Sequence, residues 1–351
     1  MEDLLKNLKV IDLSTVLAGP SVGTFFAELG ADVIKIESPH HSDVTRSWKL
    51  PNEDPKTFIS AYFSSVNFKK KYAQLNLAEQ RDYKTFLKHV ENADILISNF
   101  KKGDDQKLKI EDHTLRKINP KLIIGKISGF GRDSDRIAYD LILQAESGFM
   151  SINGEANQTP LKMPVALIDV LAAHHLKEGI LLALISKQAK TIDVSLYDSA
   201  VCSLMNQASN FLMTGNTPQQ QGNLHPNIAP YGELFKTAEG EWVTFAIGSN
   251  RHFEKLCDVL ELEEFKNAES FNTNQSRVKN RIELTKHIEN KVKDFSISSL
   301  LKICLEQKIP CAQIKSIDTV LKDPLSKKLI RKETIEGIET KRITSIASKW
   351  S

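Results

Sequence analysis

Residues 10–37 read VIDLSTVLAGPSVGTFFAELGADVIKIE and decide the fold class. Val10–Ser14 is a short apolar segment typical of a buried strand, and a segment containing glycine and proline ends it. Val22–Leu29 has apolar residues at helical spacing and is followed by Gly30, a residue suited to a helix end. Asp32–Glu37 is a second strand pattern. A strand, a helix and a strand in succession predict a parallel α/β sheet.

The loop after the first strand bears on which ligand this unit binds. A dinucleotide-binding unit carries GxGxxG here, because glycines let the backbone approach the pyrophosphate. Residues 18–23 read AGPSVG instead. Glu37 ends the second strand where a ribose-binding acid would lie, but without the glycines NAD binding is disfavoured.

The alternation of strands and helices extends over the first half of the chain. It continues to Thr191–Leu196 and predicts a doubly wound, Rossmann-like domain over residues 1–200. Residues 201–222 are predicted to be a linker, and strand patterns followed by helical patterns predict a smaller α+β domain over residues 223–324. Within the first domain we expect strands at Leu75–Leu77, Asp94–Ser98 and Leu122–Ile127, and helices at Ala78–Val90 and Lys107–Asn119.

Composition excludes several classes of protein. The chain has 351 residues, 41% hydrophobic and 26% charged, with a net charge of +3 that is too balanced to indicate a nucleic-acid partner. Its four cysteines form no CxxC pair, so they predict neither a zinc site nor disulfides and fit a reducing cytoplasm. The charged N-terminus predicts no signal peptide, and no apolar run approaches the length of about 20 residues that a membrane span needs.

One carboxylate lies inside an apolar run. Met163–Ile185 reads MPVALIDVLAAHHLKEGILLALI, and Asp169 is its only acidic residue before Glu178. An ionised carboxylate in such a segment is costly unless it is hydrogen-bonded or reached by solvent. One interpretation is a helix N-cap, in which the Asp169 oxygen accepts a backbone N–H. The other is a nucleophilic or acid/base carboxylate in a partly desolvated pocket.

Several segments, in order along the chain, resemble the class III CoA-transferase family (CaiB/BaiF type, which includes the carnitine and formyl-CoA transferases). The resemblance begins with residues 8–39 and covers essentially the whole chain. Asp169 falls at the position of the family's catalytic aspartate. The further matching segments are ADILISNFKKG (93–103), NPKLIIGKISGFG (119–131), YDLILQAESGFMSINGE (139–155), IDVSLYDSA (192–200), GNLHPNIAPYG (222–232), IGSNRHFEKLC (247–257) and KIPCAQIKSIDTVLKDP (308–324).

The resemblance implies an architecture and a reaction. The architecture is an interlaced, linked-ring homodimer, in which residues 325–351 complete the large Rossmann-like domain. The reaction is transfer of CoA from an acyl-CoA donor to a carboxylic acid acceptor. Asp169 attacks the thioester to give an aspartyl anhydride and then an aspartyl-CoA thioester. The family uses no metal and no tightly bound cofactor, since coenzyme A and acyl-CoA are substrates. A thiol with a pKa near 8.5 is a leaving group that a carboxylate can displace.

The resemblance also implies a set of CoA-binding residues. The turn after the first strand is expected to face CoA, and Lys70 is expected to contact a CoA phosphate or ribose. Asn99 ends a strand, where open α/β sheets bind their ligands. The full set implied is Val16, Leu17, Ala18, Lys70, Asn99, Phe100, Lys107, Leu108, Tyr139 and Asp140.

Three departures keep alternatives open. Leu17 replaces a frequent Gln, Ile137 replaces a Lys that reaches CoA in some members, and YAQ follows the lysine run. Arg132 or Arg136 is expected to replace the charge lost at Ile137. Related α-methylacyl-CoA racemases need a catalytic His where this chain has Tyr139, which argues against racemisation. The alternatives are a racemase-like enzyme on the same fold and a non-catalytic CoA-binding protein. Which acids serve as donor and acceptor does not follow from the sequence.

Overall fold

The computed structural model describes residues 3–349, which form two compact units. The first unit contains the chain up to Ser151, Lys162–Pro218 and the chain from Lys327 onward. The second contains Ile152–Leu161 and Gln219–Ser326. Both units are therefore built from separated stretches of the chain.

A six-stranded sheet organises the first unit. All its strands are parallel, in the order β3-β2-β1-β4-β5-β6, which confirms the parallel α/β fold expected from residues 10–37. The crossovers change direction between β1 and β4, and ligands bind at such a switch point in open α/β sheets. The strands are β1 (Lys9–Asp12), β2 (Asp32–Glu37), β3 (Lys71–Gln74), β4 (Ile95–Ser98), β5 (Ile123–Ser128), β6 (Thr191–Ser195), β7 (Tyr231–Lys236), β8 (Trp242–Ala246), β9 (Cys311–Gln313), β10 (Ile330–Ile335) and β11 (Ile338–Ile343).

Helices cover both faces of this sheet. Successive residues of β1 alternate between the two covers: Val10 packs with α1 and α8, and Ile11 packs with α3 and α5. A strand buried on both faces reads as a continuous apolar run. The helices are α1 (Ala18–Glu28), α2 (Ala61–Ser65), α3 (Gln80–Asn92), α4 (Asp104–Leu108), α5 (Asp112–Ile118), α6 (Asp140–Glu146), α7 (Phe149–Ile152), α8 (Leu167–Ser186), α9 (Leu196–Cys202), α10 (Met205–Thr214), α11 (Asn250–Val259), α12 (Asn274–Lys279), α13 (Arg281–Val292), α14 (Ile297–Gln307), α15 (Ile317–Lys322) and α16 (Pro324–Lys327).

The C-terminal hairpin β10–β11 belongs to the first unit. It packs against α2, and Arg342 forms a buried ion pair with Glu28 of α1. The Glu28 carboxylate also accepts the backbone N–H of Ser345 at 2.7 Å. The second unit has an antiparallel sheet, β7-β8-β9, and a core of its own built with α11, α13 and α14.

Some elements differ from the sequence predictions. The strand predicted at Leu75–Leu77 is wrong, because β3 lies just before it; as an edge strand β3 tolerates the exposed charge of Lys71. The single helix predicted at Lys107–Asn119 is wrong, because the chain turns at Lys109, in a left-handed conformation with φ 57°. Residues 201–222, expected to be a linker, contain α10. None of its residues is buried. Among residues 3–349, no helix is apolar and long enough to span a membrane.

Candidate active site

A cleft of about 620 Å³ opens at the switch point, at the carboxyl ends of β1, β4 and β5. Most of its lining belongs to the loops that follow these three strands, and one residue comes from the start of α8. The main lining segments are Thr15–Ala18, Ser98–Gly103, Ile127–Gly129, Gly131–Tyr139 and Asp169.

Asp169 is the buried acid of this cleft. It is the third residue of α8 and 7% exposed. The N-cap interpretation is wrong, because Ala166 occupies the cap position and has no side chain that accepts a hydrogen bond. Among residues 3–349 no group donates a hydrogen bond to the Asp169 carboxylate. Burial, and next the nearby Asp140 carboxylate, raise the pKa of Asp169 to about 7.

Asp140 supplies the missing cap from another helix. One of its carboxylate oxygens accepts the backbone N–H of Ile168 at 2.7 Å and that of Asp169 at 3.3 Å. The buried Gln144, one turn further along α6, donates to the other oxygen and accepts the N–H of Met163 at 2.8 Å. Helix α6 thus holds the first turn of α8 and the loop before it. Asp140 itself does not line the cleft.

Tyr62 is a neighbour of the acid pair that sequence analysis missed. Burial, and next the carboxylates of Asp169 and Asp140, raise the pKa of Tyr62 to about 12. Its ring packs edge-on against Trp48, with 5.1 Å between the ring centroids. No motif identifies Tyr62 in the sequence, because α2 approaches the cleft only through the tertiary fold.

The turn after β1 is held by side chains from distant parts of the chain. The Asn99 side chain accepts the N–H of Thr15 at 3.0 Å and donates to the Thr15 carbonyl at 2.9 Å. Val16 has φ 72°, a left-handed conformation that β-branched residues rarely adopt. Among residues 3–349, no group accepts the N–H of Leu17 or of Ala18. These two residues line the cleft at the start of α1, where the N–H groups of a helix lack intrahelical partners.

Five cations line the cleft, and four of them are paired, including Lys126 with Asp112 at 2.6 Å. Lys102 donates to the Asp133 carbonyl at 2.9 Å. Arg132 pairs with Asp193 at 3.3 Å, and Arg136 pairs with Glu146. Within the part of the chain that the structure describes, the Lys101 ammonium has no carboxylate or carbonyl partner. Lys101 is therefore the lining cation with the most freedom to bind an anion.

The predicted role of Lys70 is contradicted. Its ammonium is fully buried in an ion pair with Asp12 at 2.8 Å. It also donates to the Pro20 and Val66 carbonyls at 2.8 and 3.0 Å and to the Asn67 side chain at 2.9 Å. A buried ammonium with all its donors occupied has none left for a CoA phosphate. Lys70 is therefore not a CoA contact. Its ammonium instead holds the first turn of α1 through the Pro20 carbonyl.

The structure brings most, but not all, of the expected site residues together. Lys107 is exposed and pairs with Asp104 at 3.2 Å. Leu108 packs on the apolar cluster between the sheet and helices α3 and α5. Neither residue lines the cleft. Asp140 lies behind the cleft as the cap of α8. The expected residues that do line the cleft are Val16, Leu17, Ala18, Asn99, Phe100, Tyr139 and Asp169.

The first unit is therefore a doubly wound α/β domain whose switch-point cleft holds a buried acid and a basic rim. The sequence pattern of CoA-transferase family III matches residues 5–347, and the chain belongs to this family. It is a transferase, as the resemblance implied.

Named relatives and a solved structure agree with this assignment. The chain is 36% identical to the succinate–glutarate CoA-transferase of Agrobacterium fabrum, over 91% of this chain and 82% of the relative. It is 30% identical to the human succinyl-CoA:glutarate CoA-transferase, over 91% of this chain and 74% of the relative. A CaiB/BaiF family protein from Brucella suis shares its fold with a TM-score of 0.83 and 33% identity, over 98% of this chain and 92% of that structure.

Proposed function

We propose that this transferase moves CoA from succinyl-CoA to a second dicarboxylate such as glutarate, with Asp169 as the nucleophile. The observation that carries the proposal is the position of Asp169 in the switch-point cleft, with a carboxylate that no described residue engages in a hydrogen bond. The substrate class is taken from the relatives, whose names specify succinyl-CoA, succinate or glutarate.

The first half-reaction forms two covalent intermediates. The ionised Asp169 carboxylate attacks the thioester carbonyl carbon, and the resulting tetrahedral intermediate expels the CoA thiolate to leave an aspartyl-succinyl anhydride. The thiolate then attacks the Asp169 acyl carbon and releases succinate, so that CoA is held as an aspartyl thioester. The steps retain one activated acyl bond throughout, so no nucleotide triphosphate is needed.

The second half-reaction reverses this order with the acceptor acid. The acceptor carboxylate attacks the aspartyl thioester, expels the CoA thiolate and forms a second anhydride. The thiolate attacks the acceptor's acyl carbon, which yields the new acyl-CoA and restores the Asp169 carboxylate. Because Asp169 attacks only when ionised, its pKa of about 7 ties the reaction to neutral or higher pH.

Each tetrahedral intermediate carries an oxyanion that needs hydrogen-bond donors. We assign this role to the backbone N–H groups of Leu17 and Ala18, because both residues line the cleft with Asp169 and their N–H groups have no acceptor among residues 3–349. Such donors are effective because they are in place before the charge develops. The replacement of a frequent Gln by Leu17 leaves a backbone donor unaffected.

Binding of the CoA arm is assigned to the basic side of the cleft. Lys101 is the natural partner of a CoA phosphate, since a flexible ammonium acts as a point charge and this one has no protein partner within the described residues. Arg136 is stacked on Phe130 at 3.7 Å and lines the same side next to Ile137. Arg136 therefore supplies a positive charge beside the position of the replaced lysine.

Tyr139 bears on the racemase alternative. It lines the cleft and is 52% exposed, in the place where a racemase needs a histidine base. A phenol is ordinarily protonated near neutral pH and cannot take up an α-proton as a neutral imidazole can. The site therefore favours transfer of CoA over exchange of an α-proton.

The homodimer and the cytoplasmic location stay predictions. Support for a second copy comes from α10, whose Leu212 and Met213 are 79% and 83% exposed. Large apolar side chains grouped on one helix in this way mark association surfaces. Sedimentation at several protein concentrations tests the dimer.

Trapping of the intermediates tests the function. The wild type is incubated with succinyl-CoA and then with hydroxylamine or borohydride, and the modified peptide is identified by mass spectrometry. We expect the label on Asp169, and no label in Asp169→Asn. Full CoA transfer by Asp169→Asn contradicts the mechanism. Deuterium uptake at the α-carbon of a 2-methylacyl-CoA indicates the racemase, and stabilisation by free CoA without either reaction indicates a binding protein.

A further inference from the structure

Two oppositely charged side chains are completely buried beneath the turn after β1. The Lys35 ammonium, from the middle of β2, and the Asp43 carboxylate are 3.2 Å apart, and both side chains are 0% exposed. Taking two charges out of water is costly, and a hydrophobic pair of similar volume is often at least as stable. Stability alone therefore does not explain why these two positions carry charges.

Both charges are bonded to the backbone of the turn. Lys35 donates to the Ser14 carbonyl at 2.6 Å. Both oxygens of Asp43 accept the N–H of Val16, each at 3.2 Å. Since Asn99 holds Thr15 between them, three successive residues of the turn are fixed by side chains distant in sequence.

Val16 needs this support because of its backbone conformation. At φ 72° its branched side chain crowds the backbone, and valine without an external restraint prefers negative φ. The next two residues, Leu17 and Ala18, carry the N–H groups assigned above to the oxyanion. A return of Val16 to negative φ redirects the chain just before these donors.

We propose that Lys35 and Asp43 are positioning residues that hold Val16 in the left-handed conformation and thereby keep the Leu17 and Ala18 N–H groups in the cleft beside Asp169. The inference rests on the proposed function, since the donors act on the oxyanion of that reaction. Strain held at an active site in this way persists only when the surrounding structure enforces it.

Asp43 also has an ordinary structural task, which the test must separate. It accepts the N–H and the hydroxyl of Thr45 at 3.1 and 2.7 Å and so begins the 3-10 turn Val44–Ser47. A loss of activity on replacing Asp43 is therefore not enough. The distinguishing property is energetic coupling to Val16.

The experiment is a double-mutant cycle in which transfer from succinyl-CoA is measured with and without Val16→Gly. Asp43→Asn removes the negative charge and leaves Lys35 unpaired, so this variant could fail to fold. Lys35→Met/Asp43→Leu removes both charges and leaves neither unpaired, and it serves as the second variant. In the Val16 background we expect kcat to fall about tenfold or more, which corresponds to 1.4 kcal/mol, with KM for succinyl-CoA changed less than about threefold. In the Val16→Gly background the loss shrinks to about threefold or less, because glycine adopts positive φ without strain.

Thr45→Val is the matched control, since it removes a donor to Asp43 but not the contact with Val16. We expect no coupling between Thr45→Val and Val16→Gly. Equal losses from the Lys35 and Asp43 variants in both backgrounds, accompanied by a matching fall in Tm, overturn the proposal and leave a structural role only.

Amide hydrogen exchange separates this inference from the proposed function. In the wild type the bond to Asp43 protects the Val16 N–H, and we expect faster exchange at Val16 in Lys35→Met/Asp43→Leu, where leucine offers no acceptor, at a temperature where this variant is folded. Unchanged exchange overturns the positioning role. A wild type that transfers CoA between no pair of dicarboxylates contradicts the proposed function, while the exchange at Val16 still reports on the positioning role.

Discussion

Asp140 binds the backbone of Asp169 and also repels its side chain. The Asp140 carboxylate accepts the Asp169 N–H at 3.3 Å, which holds the start of α8, while its charge is the second cause, after burial, of the raised pKa of Asp169. One residue thus sets both the position and the proton affinity of the proposed nucleophile. A conservative substitution separates these two effects.

Asp140→Asn is expected to move the acid limb of the pH profile to lower pH. Asparagine keeps an oxygen that accepts the N–H groups of Ile168 and Asp169, but it removes the negative charge and the acceptor for the Gln144 amide. The pKa of Asp169 then falls below about 7, although burial keeps it above its ordinary value of 3.8. The measurement is kcat/KM for succinyl-CoA from pH 5 to pH 9. Asp198→Asn, at an exposed aspartate in the first turn of α9, is the control. If the wild type, Asp140→Asn and Asp198→Asn have identical pH profiles, Asp140 does not raise the pKa of Asp169.

Asp169→Asn is expected to stabilise the protein above neutral pH while abolishing transfer. A carboxyl group whose pKa rises from 3.8 to about 7 on folding binds more protons in the folded state, so stability falls as pH increases across that window. The loss reaches up to about 4 kcal/mol at pH 8, where asparagine avoids it. Urea unfolding at pH 5 and pH 8 measures the difference. An advantage of Asp169→Asn that is the same at both pH values contradicts the raised pKa.

Lys70→Met is expected to destabilise the fold and leave CoA binding almost unchanged in the fraction that folds. The substitution leaves the buried Asp12 carboxylate without its ion-pair partner, which lowers the free energy of unfolding by about 3–5 kcal/mol. Lys71→Met is the control, because Lys71 is exposed in a surface pair with Asp32 that is worth about 0–1 kcal/mol. Thermal unfolding and KM for succinyl-CoA are measured together. If Lys70→Met raises KM and leaves Tm unchanged, the prediction is wrong and Lys70 contacts CoA, as the family resemblance implied.

Lys101→Ala is expected to weaken binding of acyl-CoA by about five- to tenfold, consistent with loss of one partly exposed charge–phosphate contact worth about 1 kcal/mol. The effect shrinks as salt increases, because salt screens exposed charges. Lys107→Ala is the informative comparison, since the resemblance implied a CoA contact and the structure places Lys107 outside the cleft. Should Lys107→Ala raise KM and Lys101→Ala leave it unchanged, the assignment of the basic rim is wrong.

Sequence patterns predicted the elements that carry the cleft. The parallel strands read as apolar runs because helices cover both faces of the sheet, and Gly30 follows α1 with φ 95°, as its position after a helical pattern indicated. Asp169 was recognisable because a single acid in an apolar run demands an explanation. The family resemblance, confirmed over residues 5–347, supplied the reaction class.

Charge partners were not predictable in the same way. Lys35 in the middle of a buried strand was a usable indication of a buried ion pair, but nothing nearby in the sequence identifies Asp43 as its partner. The family resemblance implied a ligand contact for Lys70, and nothing in the run of lysines indicates which of its members is buried. Asp12, the partner of Lys70, is 58 residues away.

By itself the sequence determined the parallel α/β fold and singled out the one acid in the apolar run that forms α8, since hydrogen bonding and apolar periodicity within one segment specify that segment. Only the tertiary structure decided that Asp140 caps α8, that Lys70 is buried and that Asp43 holds Val16. These outcomes depend on which distant segments meet and on how much water they exclude. Both the strength of an ion pair and the pKa of a carboxyl group follow from that distance and that exclusion.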